Sequence, residues 1–300
     1  MTDVQDAAGP FDTVRVRLSI AYDGTHFHGW GRQAADRTVQ GVLEDALAVL
    51  LRRAGPGLRL TVAGRTDAGV HALGQVAHVD LSEAHVTALS QAQRGNRIGP
   101  QQIPAELARR VNGVLGAAAD VVVLRAEYAA PGFDARFSAI WRRYEYRVAD
   151  PESVRDPLQR HRTLWHPTRL DRDAMQAAAD TLLGLHDFAA YCRSRPDATT
   201  IRTLQAFDWT RDGDGVLIAA VQADAFCHSM VRSLVGSCVA VGEGRLPRSR
   251  PALLLGERDR SSEFPVMPAK GLTLTEVGYP PAADLADRAR VTRARRTPAP

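Results

Sequence analysis

Apolar and polar residues alternate at the start of the chain. Val14, Val16, Leu18 and Ile20 are separated by Arg15, Arg17 and Ser19, the period of a half-buried strand. An aromatic-rich loop, Tyr22 to Trp30, follows. From Thr38 the period lengthens: Val39, Val42, Leu43, Ala46, Leu47 and Leu50 share one helical face, and Gly55-Pro56-Gly57 stops the helix. Leu58–Val62 and Gln75–Leu81 predict two more strands. Pro104 opens a second helix through Leu107, Val111 and Leu115, and Asp120–Tyr128 is a fourth strand. The order is β-α-β-β-α-β, the ferredoxin-like arrangement.

The pattern then recurs without visible repetition of sequence. Ala139–Val148 predicts a strand, and Arg172–Leu185 a helix striped by Met175, Ala178, Ala179 and Leu182. Leu204–Trp209 and Val216–Phe226 form a hairpin across Asp212-Gly213-Asp214-Gly215. His228–Val241 is an apolar helix and Leu272–Val277 the closing strand. The expected fold is α+β: two ferredoxin-like halves with sheets side by side and a central cleft. The expected divisions are a flexible start at 1–12, a first half at 13–135, a second at 136–280, and a disordered basic tail at 281–300.

Composition narrows the class. Of 300 residues, 45% are apolar and 24% charged, which suits a globular body. The 38 basic residues include one lysine, Lys270, and the net charge is +4. Guanidinium groups suit phosphate, although a GC-rich genome also writes arginine for lysine. Cys192, Cys227 and Cys238 have no metal or redox spacing, and their odd number argues against a disulfide framework. Met1–Pro10 lacks the apolar core of a signal peptide, and no run approaches the roughly 18 apolar residues that span a bilayer. A soluble, cytoplasmic protein with no membrane segment is expected.

The densest chemistry lies in Ala63-Gly64-Arg65-Thr66-Asp67-Ala68-Gly69-Val70-His71, between two predicted strands. One carboxylate sits two residues from a guanidinium, between glycines. That is good turn chemistry, and equally a place for a nucleophile or base kept ionised by its neighbour. Tyr144 and Tyr146 share a strand face, as packing aromatics do. Arg232 stands among Met230, Val231, Leu234 and Val235, so it either reaches solvent or needs a partner.

Four ordered blocks give these residues a context. They are Tyr22-Asp23-Gly24 through Gly29-Trp30; Gly64 through His71 with Gly74-Gln75-Val76; Arg136-Phe137-Ser138-Ala139 with Arg142-Arg143-Tyr144-Glu145-Tyr146; and Phe226-Cys227-His228-Ser229-Met230-Val231-Arg232 with Val235-Gly236. Together they resemble the tRNA pseudouridine synthase A family from roughly Val16 to Tyr279. The resemblance implies that Asp67 is catalytic, that Tyr144 stacks on the target base, and that Arg232 pairs with Asp67. Arg65, two residues from Asp67 and on the same face of an extended segment, is expected to contact RNA and help hold the flipped nucleotide. His71 and His78 are left to structural or RNA-surface roles. The implied reaction isomerises uridine to pseudouridine without cofactor or metal. Its implied targets are positions 38, 39 and 40 in the tRNA anticodon arm, and its implied assembly is a homodimer in which one tRNA touches both subunits.

Gly31 departs from the family, which often has a larger polar residue there, and Gln91–Ile103 resembles an insertion. Two rivals are weaker. One is a non-catalytic RNA-binding protein of ferredoxin-like fold; the RNA-recognition motif, which has this topology, would need its aromatic K/R-G-F/Y run, and none is present. A glycosidase would need a second acid, and the Asp67 loop offers none nearby.

Overall fold

The computed structural model of the chain describes residues 13–91, 98–193 and 199–293. In chain order the first half contains β1 (Val14–Tyr22), α1 (Val39–Leu51), β2 (Thr61–Val62), β3 (His71–Leu81), α2 (Glu83–Ser90), α3 (Ile103–Leu115) and β4 (Val121–Tyr128). The second contains β5 (Trp141–Ala149), β6 (Leu164–Trp165), α4 (Arg172–Asp180), β7 (Gly184–Asp187), β8 (Ile201–Arg211), β9 (Leu217–Ala223), α5 (Met230–Gly242), α6 (Arg250–Leu254) and β10 (Leu272–Gly278). A last helix, α7, spans Leu285–Arg293.

All ten strands among the described residues join one sheet in the order β4-β1-β3-β10-β5-β9-β8-β7, with β2 on β3 and β6 on β5. Within each half the sequence β-α-β-β-α-β gives the spatial order fourth-first-third-second, as the ferredoxin-like reading expects. The halves meet where β10 lies parallel to β3, pairing Thr273 with His71 and Leu274 with Ala72. The approach is close at Gly74, where a side-chain Cβ would lie 2.0 Å from the Thr275 carbonyl oxygen. β1 shows why its alternation predicts a strand: Val16, Leu18, Ile20 and Tyr22 are buried, with half-buried residues between them.

Several boundaries differ from expectation. Leu58–Val62 yields a strand of only two residues. Leu60 explains this: its N–H donates to the buried Glu44 carboxylate on α1 at 3.0 Å, and its carbonyl accepts from Gln40 at 3.3 Å. Groups that would start the ladder are thus satisfied by helix side chains. The predicted helix to Leu185 stops at Asp180, where the Thr181 hydroxyl takes the Ala178 carbonyl at 2.7 Å, and β7 follows. Helix α2, unmarked by periodicity, is capped by Ser82 and His85.

The tail is corrected through Arg293. Leu285 and Ala289 of α7 are buried, the Leu285 carbonyl accepts from Ser138 at 3.1 Å, and Arg293 pairs with Asp134 at 2.6 Å. Apolar residues four apart give a basic segment a docking face that its charge disguises. Residues 1–12 and 294–300, and 92–97 of the expected insertion, lie outside the described residues. The cysteine reading also needs correction: Cys192 and Cys227, 35 residues apart, form a disulfide, leaving Cys238 free and buried. An odd count argues against a full framework and says nothing against one pair. Among the described residues no helix is long and apolar enough to cross a membrane.

Candidate active site

The segment from Ala63 to Val70 leaves the end of β2 and returns as β3. Neighbouring backbone holds it throughout. Ala63 N–H donates to Val76 O at 2.8 Å, Trp30 N–H to Thr66 O at 3.1 Å, and Gly69 N–H to Phe27 O at 3.1 Å. The last two bonds dock the aromatic loop at 22–30 against the Asp67 segment. Gly29 makes that docking possible: its φ is +88°, and a Cβ there would lie 2.8 Å from Thr66 O. Below, Thr66 Oγ1 meets the Tyr22 hydroxyl at 2.8 Å, and the Gln75 amide donates both to that hydroxyl and to Gly64 O. Burial pushes the Tyr22 phenol up to about 12, so it stays a neutral hydrogen-bonding group.

A half-buried arginine ties this segment to the second half. Arg142 on β5 donates to Ala63 O at 2.9 Å and to Asp224 O, just past β9, at 2.8 Å. Burial lowers its pKa, and backbone carbonyls accept its hydrogen bonds. Arg142 was not singled out by sequence, because the Arg142-Arg143 pair looks like two ordinary strand charges.

Asp67 is partly exposed, with 30% of its side chain accessible. Arg232 Nη1 lies 3.8 Å from its Oδ2 and His228 Nε2 lies 3.5 Å from its Oδ1. The expected Arg232–Asp67 ion pair is therefore present. His228 is the residue that sequence reasoning missed, although it stands inside the quoted block before α5. Arg232 is itself fixed: its Nε donates to Met267 O at 2.5 Å and its carbonyl accepts from Met267 N–H at 3.2 Å. The first turn of α5, uncapped by any side chain, adds the positive end of a helix dipole to the same region.

Tyr144 and Tyr146 differ in their contacts along one strand face. The Tyr146 hydroxyl donates to Pro268 O at 2.7 Å and its side chain is fully buried, so it packs. Tyr144 lies edge-on to Phe226, with ring centroids 5.2 Å apart. Burial raises its phenol, which the nearby Asp67 charge also opposes ionising, so it stays protonated. Arg65 is exposed, lies over Gly31 and makes no ion pair among the described residues. Tyr144, Asp67 and Arg232 are thus gathered together, while Arg65 projects from the same loop.

His71 and His78 are structural ties. His71 accepts from Gly24 N–H at 3.0 Å through Nδ1, and its Nε2 lies 3.1 Å from Lys270 O across the seam. Burial lowers its pKa, which suits the neutral tautomer these contacts require. His78 accepts from Ala135 N–H at 3.0 Å, and burial likewise lowers it. No group of three His, Cys, Asp or Glu residues among those described is placed to hold a metal ion.

The family described as tRNA pseudouridine synthase matches residues 18–115 and 178–280. A tRNA pseudouridine synthase A of Leifsonia xyli is 63% identical over 283 residues, covering 94% of this chain and 98% of that one. The protein of the same name in Frankia casuarinae is 54% identical, covering 95% and 96%. That of Mycobacterium leprae is 49% identical, covering 94% and 95%. With the Asp67 segment, the Arg142–Tyr146 strand and the approach to α5 all inside one site, the chain belongs to the tRNA pseudouridine synthase family of isomerases.

Proposed function

We propose that this protein converts uridine to pseudouridine at positions 38, 39 and 40 of the tRNA anticodon arm, with Asp67 as nucleophile or base. The observation that carries the reading is the Asp67 carboxylate: partly exposed at the seam between the halves, flanked by Arg232 at 3.8 Å, and near the Tyr144 ring. Either role requires a carboxylate that the substrate can reach, and this one is partly exposed.

The reaction is balanced within one nucleotide. The N1–C1′ bond breaks, the uracil turns, C5 bonds to C1′, the C5 proton leaves and N1 gains one. Nothing is oxidised or consumed. The target uridine must leave its stack to reach Asp67. Tyr144 offers it a flat ring, a contact worth about 1–3 kcal/mol. Arg65, exposed and outside any ion pair among the described residues, is available to the RNA backbone.

The reading includes a cytoplasmic homodimer in which both subunits touch one tRNA. Sedimentation at twice the chain mass of 32.6 kDa checks the assembly. The activity is tested by carbodiimide labelling and primer extension on tRNA transcripts treated with the enzyme. Reverse transcription should stop at uridines 38, 39 or 40, and Asp67→Asn should remove the stops. Stops elsewhere, or none, would contradict the assignment.

A further inference from the structure

Asp67 is approached from one short segment on both of its oxygens. His228 faces Oδ1 at 3.5 Å and Arg232 faces Oδ2 at 3.8 Å. Four residues apart in a helix, two side chains would share a face, but His228 lies outside the helix, which begins at Met230. Between them stands Ser229, in the left-handed region at φ 65°, ψ 6°. Among the described residues it is the sole non-glycine with positive φ. It is the N-cap residue of α5, but its side chain makes no capping hydrogen bond, so the conformation does not serve a side-chain cap.

Such a backbone persists only where its surroundings fix it, and it concentrates at functional sites. Three hydrogen bonds fix this one. Met230 N–H donates to Cys227 O at 3.1 Å, Ser233 N–H to Ser229 O at 3.0 Å, and Arg193 N–H to His228 O at 3.1 Å. The turn at Ser229 thereby brings the residue before the helix and a residue of its first turn to the same carboxylate.

We propose that His228 is a positioning residue for Asp67, presented by the left-handed turn at Ser229; the inference rests on Asp67 being the catalytic group. A carboxylate held at one oxygen still swings about its Cβ–Cγ bond. Held at both, it has a defined plane. The two contacts exceed ordinary hydrogen-bond length. They orient the carboxylate while leaving its lone pairs to the substrate. Arg232 is anchored to Met267 in the second half, whereas Asp67 belongs to the first. His228 is the second hold across that seam.

The test is steady-state turnover and tRNA binding by His228→Leu, His228→Gln and Ser229→Val, with Asp67→Ala alongside. His228→Leu should lower kcat about 10–100-fold with KM and tRNA affinity unchanged. Gln, whose terminal N–H takes the place of Nε2–H, should recover most of the rate. Ser229→Val, poorly suited to positive φ, should fall as far as the Leu variant. Wild-type kcat in His228→Leu, a loss confined to KM, or a Gln variant as slow as Leu would each overturn the role of His228. Wild-type kcat in Ser229→Val would overturn the role of the turn. If the Leu variant fails to fold, His228→Asn, too short to reach Oδ1, carries the same expectation. An active Asp67→Ala would remove the reading of Asp67 itself; an inactive one beside a fully active His228→Leu would remove only this inference.

Discussion

The two halves share a topology, and one hairpin sets them apart at the site. In the second half, β8 and β9 pair from Leu204–Ala223 to Arg211–Leu217, and a tight turn at Asp212–Gly215 closes them. In the first half the equivalent hairpin is β2 with β3, but β2 pairs only Thr61 with His78 and Val62 with Ala77. The start of that β3 edge, at His71 and Ala72, is taken by β10 of the other half. The Asp67 segment emerges where β3 passes from one neighbour to the other. Shortening one strand opens a seam, and the partner half brings Arg232, His228 and Tyr144 to it.

A second contrast lies in two aspartates beside arginines. Asp150, at the end of the second half's first strand, has a fully buried side chain and takes two hydrogen bonds from Arg211, at 3.0 and 2.8 Å. Asp67 has looser contacts and partial exposure. The tight pair suits stability, and the loose one leaves a carboxylate able to react.

The contrast breaks first at its two hairpins. Asp67→Asn should cut pseudouridine formation by about 10⁴-fold or more, as loss of a principal catalytic group does. Asp214→Asn, in the closed hairpin, should leave the rate unchanged; equal losses would abolish the distinction. At the seam, Gly74→Ala sets a Cβ against Thr275 O and forces β3 from β10. Turnover should fall about 100-fold, with a lowered Tm; a normal rate would mean the seam does not set the site.

Asp150→Asn should show the opposite profile: about 3 kcal/mol less stability in denaturant, with unchanged turnover per folded molecule. Burial alone would raise the Asp150 carboxyl, but hydrogen bonds from Arg211 and the Leu170 backbone outweigh it and hold it at about 2. Its folded pKa is thus below the unfolded one. Its stabilisation is present above about pH 4 and lost as pH falls toward 2, and the Asn variant should lack that part of the acid transition. Arg65→Ala should have the smallest effect: weaker tRNA binding and a salt slope reduced by about 1.

Much of this was legible because burial follows period. The strands and main helices track alternation in β1 and the stripe in α4. Beta-strand β2 was overread because nothing local says that Leu60 gives its backbone to Glu44 and Gln40. Helix α7 was missed because its arginines mask two buried positions, Leu285 and Ala289. At the site, Asp67, Tyr144 and Arg232 could be gathered only through the four motif blocks, since they lie on three separate elements. His228 and Arg142 stand inside those blocks, but nothing in the sequence says what they touch. Their contacts depend on a left-handed serine and on carbonyls that sequence does not locate.

The central claim is that Asp67 performs the chemistry. Tritium release from tRNA transcripts labelled at uridine C5 tests it directly, because pseudouridine formation displaces that hydrogen. The wild-type protein should release tritium and Asp67→Ala should release none while still binding tRNA. Release by Asp67→Ala at a rate near wild type would contradict the account.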